Sequence, residues 1–171
     1  MKNRQHDLIV AFYPHARGFA YVVFEGPLSP IDWGMSDVPA KVKTRRCLRR
    51  LSLLLDQYQP DALLIRGVSN ARTKRSIAGL LAAIEQEARR RGIFIATVSR
   101  THIRESFAYL GSSTRYAIMK TIAKHIPMFA SYAPPIRKIW NGEDRRMGLF
   151  DAIALALAFF KNQKATRDEA T

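Results

Sequence analysis

Residues 145–160 set apolar side chains almost all round a helix, through Leu149, Phe150, Ile153, Ala154, Leu157 and Ala158. A helix with so little polar face packs centrally, against other elements on several sides, rather than lying on a surface. Residues 62–65 carry a similar demand in strand form. Their short, continuous apolar run is that of a strand buried on both faces. A central strand with a fully buried helix against it points to a layered α/β domain.

The remaining segments fit that frame. Residues 8–12 and 19–24 are apolar runs rich in β-branched and aromatic residues, the first stopped by Tyr13-Pro14, with a tight connection at 15–18. A third short strand through 31–34 completes an antiparallel meander. In residues 44–58, Cys47, Leu48, Leu51, Leu54 and Leu55 recur at helical spacing with basic residues mostly opposite, and Pro60-Asp61 ends that helix. Ile77, Leu80, Leu81 and Ile84 mark a second helix, closed by Arg89-Arg90-Arg91-Gly92 with cations at its carbonyl end. A fifth strand spans 93–98. A short helix at 102–109, a Gly111-Ser112-Ser113 loop, a helix at 114–125 and a loop containing Pro134-Pro135 lead to the last helix. One domain over 7–161 is expected, with polar ends at 1–6 and 162–171 that fray.

Charge narrows the partner. The 171 residues hold 28 Lys and Arg against 14 Asp and Glu, a formal net charge of +14. An excess of this size suits a polyanion. The cations cluster at 41–46, 49–50, 72–75, 89–91 and 145–146. Candidate nucleic-acid contacts are Arg17, Arg45, Arg46, Arg72, Lys74, Arg75, Arg115, Lys120, Arg145 and Arg146. The basic helices lack the Trp/Phe-rich face of interfacial membrane binders, and no apolar run reaches a membrane span or a signal peptide, so a cytoplasmic location is expected. Cys47 is the single cysteine, without a disulfide or metal-ligand partner, and suits helix packing.

Three local sequences carry a resemblance. Residues 11–21, reading Ala-Phe-Tyr-Pro-His-Ala-Arg-Gly-Phe-Ala-Tyr, look like the first hairpin of RuvC-type Holliday junction resolvases, where a hydrophobic strand reaches Asp-Pro and continues to a Gly-aromatic pair. Pro60-Asp61-Ala62-Leu63-Leu64-Ile65-Arg66 is similar to the fourth strand of that family, which finishes on a catalytic Glu. Phe150-Asp151-Ala152-Ile153-Ala154-Leu155-Ala156 resembles its final helix, and Leu110-Gly111 followed by Thr114-Arg115 its basic loop–helix junction. The resemblance implies a ribonuclease H-like (RuvC-like) fold, a five-stranded mixed sheet flanked by helices. It also implies a carboxylate site for Mg²⁺ or Mn²⁺, of which only Asp151 is retained. Tyr13 stands at the family's Asp, Arg66 at its Glu, and Gly148 one turn before Asp151, where the family has Asp or His.

The chemistry of these replacements opposes metal binding. Hard divalent cations need anionic oxygens, a neutral phenol is a poor ligand and a guanidinium has no lone pair to offer. Arg66 is expected either to pair with Asp151, standing in for the metal, or to point to solvent. Glu143 and Asp144 precede the Asp151 helix and serve as cap and dipole partners or rebuild a metal site. Asp7 shares a strand face with Tyr13, but about 20 Å of strand separates them. His15 lies beside the ancestral site, either merely exposed or touching phosphate, and the other histidines show no ligand spacing. Trp33 and Trp140 are expected to be packing residues.

Three functions follow. The first is a non-catalytic nucleic-acid-binding protein, a pseudo-nuclease with DNA as partner and no cofactor. The second is a Mg²⁺- or Mn²⁺-dependent structure-specific nuclease using Asp151 with Glu143 and Asp144. The third is a protein-binding scaffold. The resemblance to dimeric resolvases makes a homodimer an expectation for any of them.

Overall fold

The computed structural model describes residues 6–68, 70–138 and 140–169. Five strands form one mixed sheet: β1 (Leu8–His15), β2 (Gly18–Glu25), β3 (Pro30–Asp37), β4 (Ala62–Arg66) and β5 (Phe94–Val98). Their spatial order is β3-β2-β1-β4-β5, with β1–β2 and β2–β3 antiparallel and β1–β4 and β4–β5 parallel. The meander is as expected, with β3 extending beyond the 31–34 core. Central β4 is covered on both sides, and Ala62 to Ile65 are at most 1% exposed.

Side-chain alternation divides the interior in two. Ile9 and Ala11 of β1, Ala20, Val22 and Phe24 of β2, and Ala62 and Leu64 of β4 face one core. Val10, Phe12, Tyr21, Val23, Leu63 and Ile65 face the other. The second core is closed by α1 (Lys43–Tyr58) and α2 (Ala71–Arg90), through Cys47, Leu51, Leu54, Leu55, Leu80 and Ile84. Arg91, just past α2, is a structural cross-link between these helices: it bonds Glu87 at 2.7 Å and Ser52 at 2.6 Å, and also Asp56.

The first core is filled by α5 (Arg146–Glu169), with α3 (Arg100–Ala108) and α4 (Arg115–His125) beside it. Helix α5 contacts all five strands and both neighbouring helices, the central position its apolar surface requires. It runs well past Phe160, where the sequence suggests fraying, because residues 161–169 are mostly good helix formers. The Gln163 side-chain amide is tied there to the His6 backbone in both directions at 3.0 Å. Residues 1–5, 170 and 171 of the expected frayed ends lie outside the described residues.

Side-chain caps set the helix starts. Asn70 accepts from the Arg72 and Thr73 amides, Ser99 from His102 and Thr114 from Ala117. Trp33 packs edge-on to Phe129, with centroids 5.0 Å apart, as expected. Trp140 does not pack as expected: it is 79% exposed and belongs to neither core, because its loop runs outside them.

Gly18 opens β2 where the first hairpin presses on β3, and a Cβ there would lie 1.9 Å from the Ser36 carbonyl oxygen. The obstacle is backbone and cannot rotate away. Gly18→Ala should therefore lower stability by about 3 kcal/mol, the upper end of ordinary overpacking. Denaturant unfolding within about 0.5 kcal/mol of wild type, the range of neutral surface changes, would contradict this contact.

Candidate nucleic-acid cleft

Strand pairing brings the sequence-predicted residues together. Phe12 lies opposite Ile65 in the parallel β1–β4 ladder, so the next residues, Tyr13 and Arg66, meet at the same edge. By alternation both face the α5 side of the sheet. Asp151 enters from the second turn of α5, and Gly148 lies one turn earlier. All four line one cleft of about 570 Å³ at the carboxyl ends of β1 and β4.

Asp151 has a cationic partner, but the partner is not Arg66. Arg115, the first residue of α4, donates from Nε to both Asp151 oxygens, at 2.8 and 3.1 Å, and again from Nη2 to Oδ2. The expected Arg66–Asp151 pair is replaced because α4 delivers a guanidinium directly onto the carboxylate. Arg66 instead lies over the Tyr13 ring at 4.7 Å and donates to the Pro14 carbonyl at 3.3 Å. It still faces the cleft and does not point away to solvent.

The third nitrogen of the fork, Nη1, holds Glu143. One guanidinium thus sits between two carboxylates, as bidentate arginine geometry allows. Arg17 adds a bond from Nη1 to the Glu143 carbonyl oxygen at 3.3 Å and an ion pair with Asp37. Asp144 does something else: its Oδ1 accepts from the Arg146 amide at 2.9 Å and its carboxylate pairs with the Arg146 guanidinium, so it opens α5 as a cap. Of the two acids proposed as substitutes, Glu143 reaches Asp151's surroundings and Asp144 is a helix cap.

Burial dominates the electrostatics. It pushes the Tyr13 phenol up to about 12, aided by the Asp151 charge and opposed by Arg66 and Arg115, so Tyr13 is neutral at ordinary pH. Burial likewise raises the proton affinity of the Asp151 carboxyl, while hydrogen bonds and charge from Arg115 pull it back down. For His15, burial and the neighbouring Lys43 lower the value. The His15 ring sits against α5, where a Cβ on Gly148 would stand 3.1 Å from it.

The donor set does not fit a hard divalent cation. Tyr13 is a neutral phenol under a guanidinium, and Asp151 and Glu143 are bound to Arg115. Among the described residues no group of three or more His, Cys, Asp or Glu side chains is arranged to hold a metal. What the cleft does offer is positive charge: Arg17, Arg66, Arg100, Arg104, Arg115 and Arg145 line it, against Glu143, Asp144 and Asp151.

The predicted phosphate contacts divide accordingly. Arg17, Arg115 and Arg145 line the cleft. Arg72, Lys74 and Arg75 are exposed on the first turns of α2, whose Thr73 reaches the cleft. Arg45 and Arg46 are exposed on α1 away from its lining, Lys120 lies near the Tyr116 ring, and Arg146 is engaged by Asp144. Arg100 and Arg104 were not anticipated. Their spacing of four on a helix capped by Ser99 was the available signal.

Arg115→Met removes the partner that lowers the proton affinity of Asp151, so its folded value rises further above the unfolded value of about 3.9. The folded variant then holds that proton more tightly than the unfolded chain. Its deficit against wild type should be smallest below about pH 4 and widen as pH rises through the folded value. At pH 8 the loss should be about 2–3 kcal/mol, less than the roughly 3–5 kcal/mol of a fully dry pair because Arg115 is 34% exposed. Adding Asp151→Asn should recover most of it. A pH-independent loss without rescue would show that the pair is not what the site depends on.

No protein-family model matches the chain, and no curated protein sequence matches it. Solved structures do. Two structures of T. thermophilus RuvC, one in complex with Holliday junction substrate, align with TM-scores of 0.67 and 0.68 at 13% and 16% identity. They cover 94% and 93% of this chain and 98% and 97% of their own. The yeast mitochondrial Holliday junction resolvase Ydc2 aligns at 0.59 and 10% identity, over 91% of this chain and 78% of its own. The fowlpox virus Holliday junction resolvase aligns at 0.54 and 12% identity, over 91% and 98%.

Proposed function

On the premise that the chain has the RuvC-like resolvase fold these structures share, we propose that it is a nucleic-acid-binding protein that holds DNA by its phosphates and does not cut it. The observation that carries this reading is Arg115. A guanidinium lies between Asp151 and Glu143, in the part of the cleft where the resemblance implies a metal. Arg66, at the position of a family carboxylate, adds a second fixed positive charge.

The cleft therefore attracts phosphate but lacks the ligands to activate water on it. A net charge of +14 supports the same partner. DNA is favoured as the polyanion because the T. thermophilus RuvC of this fold holds a Holliday junction. A homodimer acting in the cytoplasm completes the reading, and no described helix is long and apolar enough to cross a membrane.

One observation favours a second reading. Asp151 and Glu143 converge on the same arginine, so displacement of Arg115 by a phosphate would free two carboxylates together. The chain would then be a metal-dependent nuclease with a latent site. Asp144, the third acid of that reading, also lines the cleft and is engaged as the α5 cap.

Phosphate binding has a measurable signature. If about six phosphates are neutralised, the log–log slope of affinity against salt on duplex DNA should be near −5. Removing two cleft cations with Arg100→Ala and Arg104→Ala should make the slope shallower by about 2, with little change in sequence preference. Anisotropy titrations at several salt concentrations measure both. A flat salt response, or no binding at low ionic strength, would remove the proposal.

A further inference from the structure

Trp140 is the large aromatic side chain that the fold leaves most open, at 79% exposure, against a half-buried Trp33. Two hydrogen bonds join the residues that flank it. The Asn141 amide donates to the Lys138 carbonyl at 3.0 Å, and Arg137 Nε donates to the Asn141 carbonyl at 2.8 Å.

Its surroundings are cationic. Lys138 Nζ stands 5.6 Å from the ring centroid, Arg137 is exposed beside it, and Arg145 follows. The nearest acids downstream, Glu143 and Asp144, are engaged by Arg115 and Arg146. The chain passes from Trp140 directly to Glu143, Asp144 and Arg145, which line the arginine cleft, a span of about 10 Å at most. The Trp140 backbone thus stands within about 10 Å of the cleft lining.

We propose that Trp140 is a stacking platform for an unpaired nucleobase, with Arg137 and Lys138 taking the flanking phosphates; this rests on the nucleic-acid-binding reading above. An aromatic face between cations is the arrangement that holds single-stranded nucleic acid with little sequence preference. A continuous duplex offers no free base face and gains nothing from the ring. The site thus gives the protein a preference for nucleic acid with unpaired bases, beyond the charge attraction common to all of it.

The test compares three probes of equal length: a continuous duplex, the same duplex with a three-nucleotide bulge, and a single strand. Trp140→Ala should weaken binding to the bulged and single-stranded probes about tenfold and leave the duplex within about twofold. Trp140→Phe should retain most of the affinity. With Trp33→Phe leaving Trp140 as the sole tryptophan, emission should be quenched by the unpaired probes and little by duplex; the affinity comparison does not depend on that variant folding. Equal loss on all probes, or none, overturns the stacking site. So does an unchanged set of affinities with an altered oligomeric state, which would assign the ring to a protein contact. Failure of wild type to bind any probe removes the nucleic-acid reading itself.

Discussion

Asp151 and Arg115 form the contact around which the cleft is organised. Helix α5 is apolar nearly all round, so the fold buries it, and the carboxyl of Asp151 goes in with it to 14% exposure. A carboxylate there needs a counter-charge close by, because isolated burial of the ion is costly. Thr114 caps α4 so that its first residue, Arg115, meets α5 at that point. The same guanidinium then holds Glu143, and the segment before α5 is drawn into the cleft wall.

The other replacements agree with this charge pattern. Tyr13 and Arg66 meet because β1 and β4 are paired in parallel and both residues face α5. Arg66 lies on the phenol, which needs no metal to be stable there. Gly148 leaves room for the His15 ring where the resemblance implies another ligand. Restoring an acid at Gly148 alone would therefore displace His15 before it supplied a metal ligand. The cleft at the carboxyl ends of β1 and β4 is lined by six arginines against three acids, the charge pattern on which the proposed binding of phosphate rests.

Much of this was legible in the sequence because it depends on short-range patterns. Period-two and continuous apolar runs located the strands, and the all-round apolar pattern of 145–160 placed α5 at the centre. Motif order brought Tyr13, Arg66, Gly148 and Asp151 to one cleft. The partner of Asp151 was not legible, since Arg115 is separated from it by 36 positions and only the angle of α4 against α5 decides which arginine arrives first. Arg66 was the nearer guess by strand topology, and the Tyr13 ring beneath it offered a competing partner. The exposure of Trp140 was not legible for a related reason: a tryptophan in a Pro-containing loop has no periodicity to show whether the loop folds over a core or stands away from it. Asp144 followed local rules, as an acid two residues before an amide at a helix start.

The chemistry of the cleft turns on Asp151 being neutralised by a guanidinium and not by a divalent cation. Mn²⁺ titration tests it most directly, with thermal stability and cleavage of branched DNA and RNA–DNA hybrids followed in wild type and Asp151→Asn. Millimolar Mn²⁺ should leave the melting temperature of wild type unchanged, and neither protein should cut either substrate. Chelator-sensitive stabilisation and cleavage by wild type, both lost in Asp151→Asn, would contradict it and establish the latent nuclease site.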